Sequence, residues 1–78
     1  MPHIILKLGA GRTAQQKSDL AKALANAVVA QLSVEPGSIS VAIQDVELKD
    51  WVDGVYKPDI LAKPDQIYLK PTYNPLSD

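Results

Sequence analysis

Apolar residues alternate with period two over His3-Ile4-Ile5-Leu6-Lys7-Leu8, so Ile4, Leu6 and Leu8 share one face. That pattern predicts a strand. Pro2 suits the position ahead of it, where no ladder hydrogen bond is asked of its nitrogen. Gly9-Ala10-Gly11-Arg12 reads as a turn. Thr13-Ala14-Gln15-Gln16 then matches a capping box, in which the Thr13 hydroxyl and the Gln16 amide satisfy early backbone donors. From Ala14 to Leu32 the period changes. Leu20, Leu24, Val28 and Leu32 recur every fourth residue, and Ala21 and Ala27 widen the stripe. Lys17, Asp19, Lys22 and Asn26 fall on the other face, which predicts an amphipathic helix. Val34-Glu35-Pro36-Gly37 ends it. Ile39-Ser40-Val41-Ala42-Ile43-Gln44 predicts a second strand, with Ile39, Val41 and Ile43 on one face. Strand, helix, strand is a crossover unit, whose strands lie parallel with a right-handed connection.

After Val46 the pattern changes. Residues 50–56 suit a short helical turn with Trp51, Val52 and Val55 as its apolar positions. Lys57-Pro58-Asp59-Ile60 and Lys63-Pro64-Asp65-Gln66-Ile67 are near-repeats. Each Pro-Asp pair fits the first turn of a short helix, where proline loses no needed donor and aspartate meets the helix dipole. Pro71 and Pro75 bracket an extended Thr72-Tyr73-Asn74 tail. No linker breaks the pattern, so residues 1–78 read as one domain. Two parallel strands and one helix form a two-layer α/β (α+β) unit that does not stand alone in water. The helix covers one sheet face, and the other, carrying Ile5 and Ala42, needs cover too. A homodimer that joins two β-α-β units into a four-stranded sheet is the expected solution.

Composition narrows the chemistry. The chain has 78 residues and a mass of 8.4 kDa. Without cysteine it forms no disulfide, no thiolate metal site and no cysteine nucleophile. With one histidine, His3, a multi-histidine metal site within one chain is not expected. The formal charge of -1 speaks against a general nucleic-acid binder. Hydrophobic content of 46% and charged content of 22% place the chain among folded domains. No apolar run nears a membrane span and no signal peptide is visible, so a cytoplasmic location is expected.

Candidate chemistry sits at a few positions. Gly9-Ala10-Gly11-Arg12-Thr13-Ala14 formally matches a dinucleotide-binding fingerprint between a strand and a helix. One β-α-β unit is only half of such a fold, so the glycines read first as a tight turn. Either way the turn presents backbone N–H groups that favour an anion. Arg12, the only arginine, sits there, and a guanidinium grips a carboxylate bidentately as lysine cannot. Pro2 follows the initiator methionine, which is normally removed before proline. Removal would leave a free secondary amine. Free α-amino groups titrate at roughly 7.7 to 8.0. Apolar burial and a nearby cation would lower that value and make the amine a usable base near neutral pH. If Met1 stays, the Pro2 nitrogen is an amide and no base. His3 reads as a structural or edge residue, and Trp51 as core or interface. Tyr56, Tyr68 and Tyr73 suit an interface or a pocket rim.

The set resembles the 4-oxalocrotonate tautomerase family. The Pro2-His3-Ile4 start, Gly11-Arg12 with the arginine ten residues after Pro2, the long helix and Ser38-Ile39-Ser40-Val41 carry the likeness over residues 2–51. Trp51, Val55-Tyr56-Lys57-Pro58-Asp59-Ile60 and Lys70-Pro71-Thr72-Tyr73 resemble the longer, dimeric members. The resemblance implies a β-α-β subunit in a shared sheet and a cofactor-independent keto–enol tautomerase, an isomerase needing no metal. Pro2 matches the general base that moves a proton between atoms of a 2-keto or enol carboxylic acid. Arg12 matches the arginine that holds the substrate carboxylate. Trp51 falls where the family places a pocket-lining phenylalanine. Ser40 stands where the type member has a second arginine, so a monocarboxylate such as an aryl or alkyl enolpyruvate is favoured over a dicarboxylate. A homodimer is implied, with a hexamer as the alternative, and with the last twenty or so residues covering surface that shorter relatives use to associate further. Two other readings stay open. One is dehalogenation or decarboxylation within the same superfamily, and the other is a non-catalytic dimerising module.

Overall fold

The computed structural model describes residues 1–76. Residues Met1–Asp45 form one compact unit, and a second begins at Val46. The first unit is the expected crossover. Strand β1 (His3–Gly9), helix α1 (Ala14–Leu32) and strand β2 (Ser40–Val46) follow one another. The strands pair side by side and parallel in a two-stranded sheet.

Helix α1 begins and ends as its sequence dictates. Thr13 is the N-cap. Its Oγ1 accepts the Gln16 N–H at 3.0 Å, and the Gln16 Oε1 accepts the Thr13 N–H at 2.9 Å. At the other end Ser33 takes the left-handed conformation (φ 57°, ψ 39°) and its N–H donates to the Val29 carbonyl. A left-handed cap closes helices often, although glycine is the usual residue.

Strand β2 starts one residue later and ends two residues beyond the predicted 39–44. Pro36–Ser38 forms a 3₁₀ turn, and the Ile39 N–H donates back to the Pro36 carbonyl, so it is lost to the sheet. Ile4, Leu6 and Leu8 of β1 and Val41 and Ile43 of β2 are half-buried, as are Leu24 and Val28 of α1. No residue of the first unit is fully buried. Ile5, on the sheet face opposite to Ile4, stays 56% exposed.

The second unit differs from its prediction. A 3₁₀ turn, Leu48–Asp50, leads into a ten-residue π-helix, Val52–Leu61. Pro58 lies inside this helix and does not start a new one. In an α-helix its ring would press on the carbonyl four residues back. The wider turn bonds five residues back, as the Ala62 N–H does to the Lys57 carbonyl at 3.0 Å. The two near-repeats are thus not equivalent. Only the second, Pro64–Gln66, opens a short 3₁₀ turn. Asp59 of the first pairs with Lys63 of the second at 3.9 Å, and Asp53 pairs with Lys57 at 3.2 Å. Val55 and Tyr56 are the buried residues among those described. The rings of Tyr56 and Tyr73 lie 5.8 Å apart and tilted by 46°. No helix among the described residues is long and apolar enough to cross a membrane.

Candidate active site

Pro2 stands just ahead of β1 and is half-buried. Its carbonyl accepts the Ser40 N–H at 3.2 Å, which pins the start of β1 to the start of β2. The next residue, His3, places its Nδ1 2.6 Å from the Ser40 Oγ. Pro2 and His3, adjacent in the chain, therefore meet the distant Ser40 at one end of the sheet.

Arg12 belongs to the other end. β1 has seven residues. At about 3.3 Å per residue its ends stand about 20 Å apart. Gly11 turns the chain out of the strand with φ 123°, a conformation that side chains resist. Arg12 follows and feeds directly into the Thr13 cap. It borders a cavity of about 380 Å³ whose apolar walls are Leu6, Leu8 and Leu20 and whose other members are Gln16 and Lys17. Among the described residues Arg12 has no ion-pair partner. The guanidinium is thus open to an anion, above a floor suited to an apolar body.

Lys17 was expected on the solvated face of α1. It is half-buried, and its Nζ donates to Asp45 Oδ2 at 2.7 Å, near the end of β2. The signal was in the sequence. Lys17 precedes Leu20 by three residues and Ala21 by four, so it continues the apolar stripe of the helix. Its long stem can lie along that stripe while the ammonium meets the carboxylate.

Of the four site residues expected from the sequence, the first unit brings Pro2 and Ser40 together and holds Arg12 apart. Trp51 lies in the second unit. There it is half-buried, and its indole N–H donates to the Tyr73 hydroxyl at 2.9 Å. That bond joins it to the Tyr56–Tyr73 pair as one aromatic cluster, whereas Tyr68 is almost fully exposed.

A small β-α-β unit with two parallel strands and one covering helix is the fold of the tautomerases. Residues 2–59 match the profile of the family described as tautomerase enzyme, and the chain belongs to that family. It is 38% identical to the "Probable tautomerase" of Xylella fastidiosa (strain 9a5c), over 99% of this chain and 94% of that one. It is 31% identical to "Tautomerase PptA" of Enterobacter sp. (strain 638), over 95% of this chain and 99% of that one. Among solved structures it resembles a 4-oxalocrotonate tautomerase isozyme from Methylibium petroleiphilum. The TM-score is 0.60 at 33% identity, covering 62% of this chain and 75% of that one. It also resembles TomN, a 4-oxalocrotonate tautomerase homologue of the tomaymycin biosynthetic pathway. Here the TM-score is 0.63 at 26% identity, covering 64% of this chain and 77% of that one.

Proposed function

We propose that the chain is a cofactor-independent keto–enol tautomerase in which the amine of Pro2, freed of Met1, is the general base and Arg12 the carboxylate clamp. The observation that carries this reading is the Arg12 cavity. It pairs one open guanidinium with an apolar floor of Leu6, Leu8 and Leu20, which suits an enol acid with one carboxylate and an apolar body. Ser40 puts a neutral residue at the Pro2 end, so no second charged clamp favours a dicarboxylate.

The chemistry is a proton relay. Arg12 orients the carboxylate and draws electron density toward it along the conjugated system. The neutral Pro2 nitrogen takes the enol hydroxyl proton, the carbonyl forms, and the same proton returns to carbon. Such a base contributes about 10² to 10⁴ in rate. Exclusion of water strengthens the Arg12 contact.

The separation of Pro2 from Arg12 supports a site shared between two copies. One chain does not place both at one substrate, so a working site takes Pro2 from one copy and Arg12 from another. A two-fold axis that lays β1 antiparallel to β1 of a second copy supplies both at once. It puts the Pro2 end of each strand beside the Arg12 end of the other, and it completes a four-stranded sheet. The absence of any fully buried residue in the first unit supports such a homodimer.

The test compares processed protein with protein carrying an uncleaved residue ahead of Pro2, on one aryl enolpyruvate. The processed form is expected to turn over, with kcat/KM rising with pH as the amine loses its proton and then levelling. The extended form is expected to lose nearly all activity, because an amide nitrogen has no available lone pair. Equal rates would exclude Pro2 as the base and favour the dimerising module.

A further inference from the structure

We infer that Ser40 and His3 act as positioning residues for the Pro2 amine, a staple that holds the chain end in register; this rests on the tautomerase reading above. Proline has no N–H, and Pro2 precedes the strand, so its carbonyl is its one anchor in the sheet ladder. That carbonyl is held by the Ser40 N–H at 3.2 Å. The hydroxyl of the same Ser40 lies 2.6 Å from Nδ1 of His3, the residue that follows Pro2. A single residue of β2 thus grips two successive residues, Pro2 ahead of β1 through its backbone and His3 of β1 through its side chain.

Within one chain, packing does not do this work. His3 and Ser40 are both exposed, and Pro2 is only half-buried. A chain end without such ties frays. The 2.6 Å separation puts the two groups within hydrogen-bond reach. A hydroxyl both donates and accepts. It can donate to a neutral Nδ1 or accept from a protonated one, so the staple holds in either state of His3. Position 40 is therefore not an empty place left by a lost second clamp. Its hydroxyl is committed to the chain's own histidine, and what it sets is where the Pro2 nitrogen stands. That matters because a misplacement of about 1 Å at a reacting group can cost about 10² in rate.

The experiment uses the processed full chain and reads kinetics and NMR together. Ser40→Ala and His3→Ala each remove the side-chain contact, and Ser40→Thr and His3→Asn each retain a hydrogen-bonding atom in place. Both alanine variants are expected to lower kcat about tenfold or more, with KM for the enol acid nearly unchanged. The double alanine variant should fall no further than either single, since one contact is removed only once. The threonine and asparagine variants should recover most of kcat, and His3→Asn should keep the wild-type pH profile. Independently of activity, the His3 amide order parameter should drop from about 0.85 toward 0.6 in both alanine variants. Unchanged kcat with an unchanged order parameter overturns the inference, as does a loss carried wholly by KM. If the protein extended ahead of Pro2 proves fully active, the tautomerase reading fails, and the order parameter alone still decides whether the staple exists.

Discussion

Among single residues, Arg12 is the one on which the proposed chemistry most depends. It is the only arginine, it follows Gly11 with its left-handed backbone, and it borders the cavity between β1 and α1. Arg12→Ala is expected to lower kcat/KM on an enol acid by about 10² to 10³, the scale for losing one transition-state donor. Arg12→Lys should recover little, because a point charge does not replace a planar fork. Steady-state kinetics of both variants check this, and full activity in both would mean that the carboxylate is held elsewhere. The type and chain position of this residue were legible from the glycine turn alone. Its distance from Pro2 was also implicit, since a seven-residue strand separates them, but spacing along a chain says nothing of which copy completes a site. The His3–Ser40 contact was not legible. It depends on strand register, which fixes which residues of two strands stand side by side.

At the scale of elements, α1 is where pattern and structure agree most closely, from the Thr13–Gln16 capping box to Leu32. Its weak point is Ser33, a non-glycine residue at φ 57°. Ser33→Gly removes the strain of a Cβ in that region and is expected to raise stability by about 1 kcal/mol, read by chemical denaturation at fixed protomer concentration. The turnover rate should not change, because Ser33 neither borders the Arg12 cavity nor takes part in the Pro2–Ser40 and His3–Ser40 contacts. A loss of stability would mean that the serine makes a compensating contact. Elsewhere local pattern yields to turn geometry and to a rare helix type. β2 lost Ile39 because its N–H serves the Pro36 turn. The second unit was read as separate short helices because proline normally starts or stops an α-helix. A π-helix absorbs Pro58, and no periodicity rule flags so rare a turn. Lys17 was misplaced by its charge, although its spacing put it on the stripe.

For the whole molecule the outstanding fact is incompleteness. The first unit holds no fully buried side chain, and Ile5 lies 56% exposed on its uncovered sheet face. In the second unit Leu48, Tyr68 and Leu69 are 80%, 93% and 92% exposed. Such surfaces suit a second copy, and the proposed site would take Pro2 from one chain and Arg12 from the other. Mixing two disabled chains tests this most directly. One carries an uncleaved residue ahead of Pro2, and the other carries Arg12→Ala. Each alone is expected to be nearly inactive. Refolded together in equal amounts, half of the dimers pair unlike chains, and each such dimer holds one site with both Pro2 and Arg12 intact. Activity should then return to about a quarter of the wild-type rate. No recovery, with native mass spectrometry showing that mixed dimers had formed, would place Pro2 and Arg12 of one chain in the same site and contradict the account.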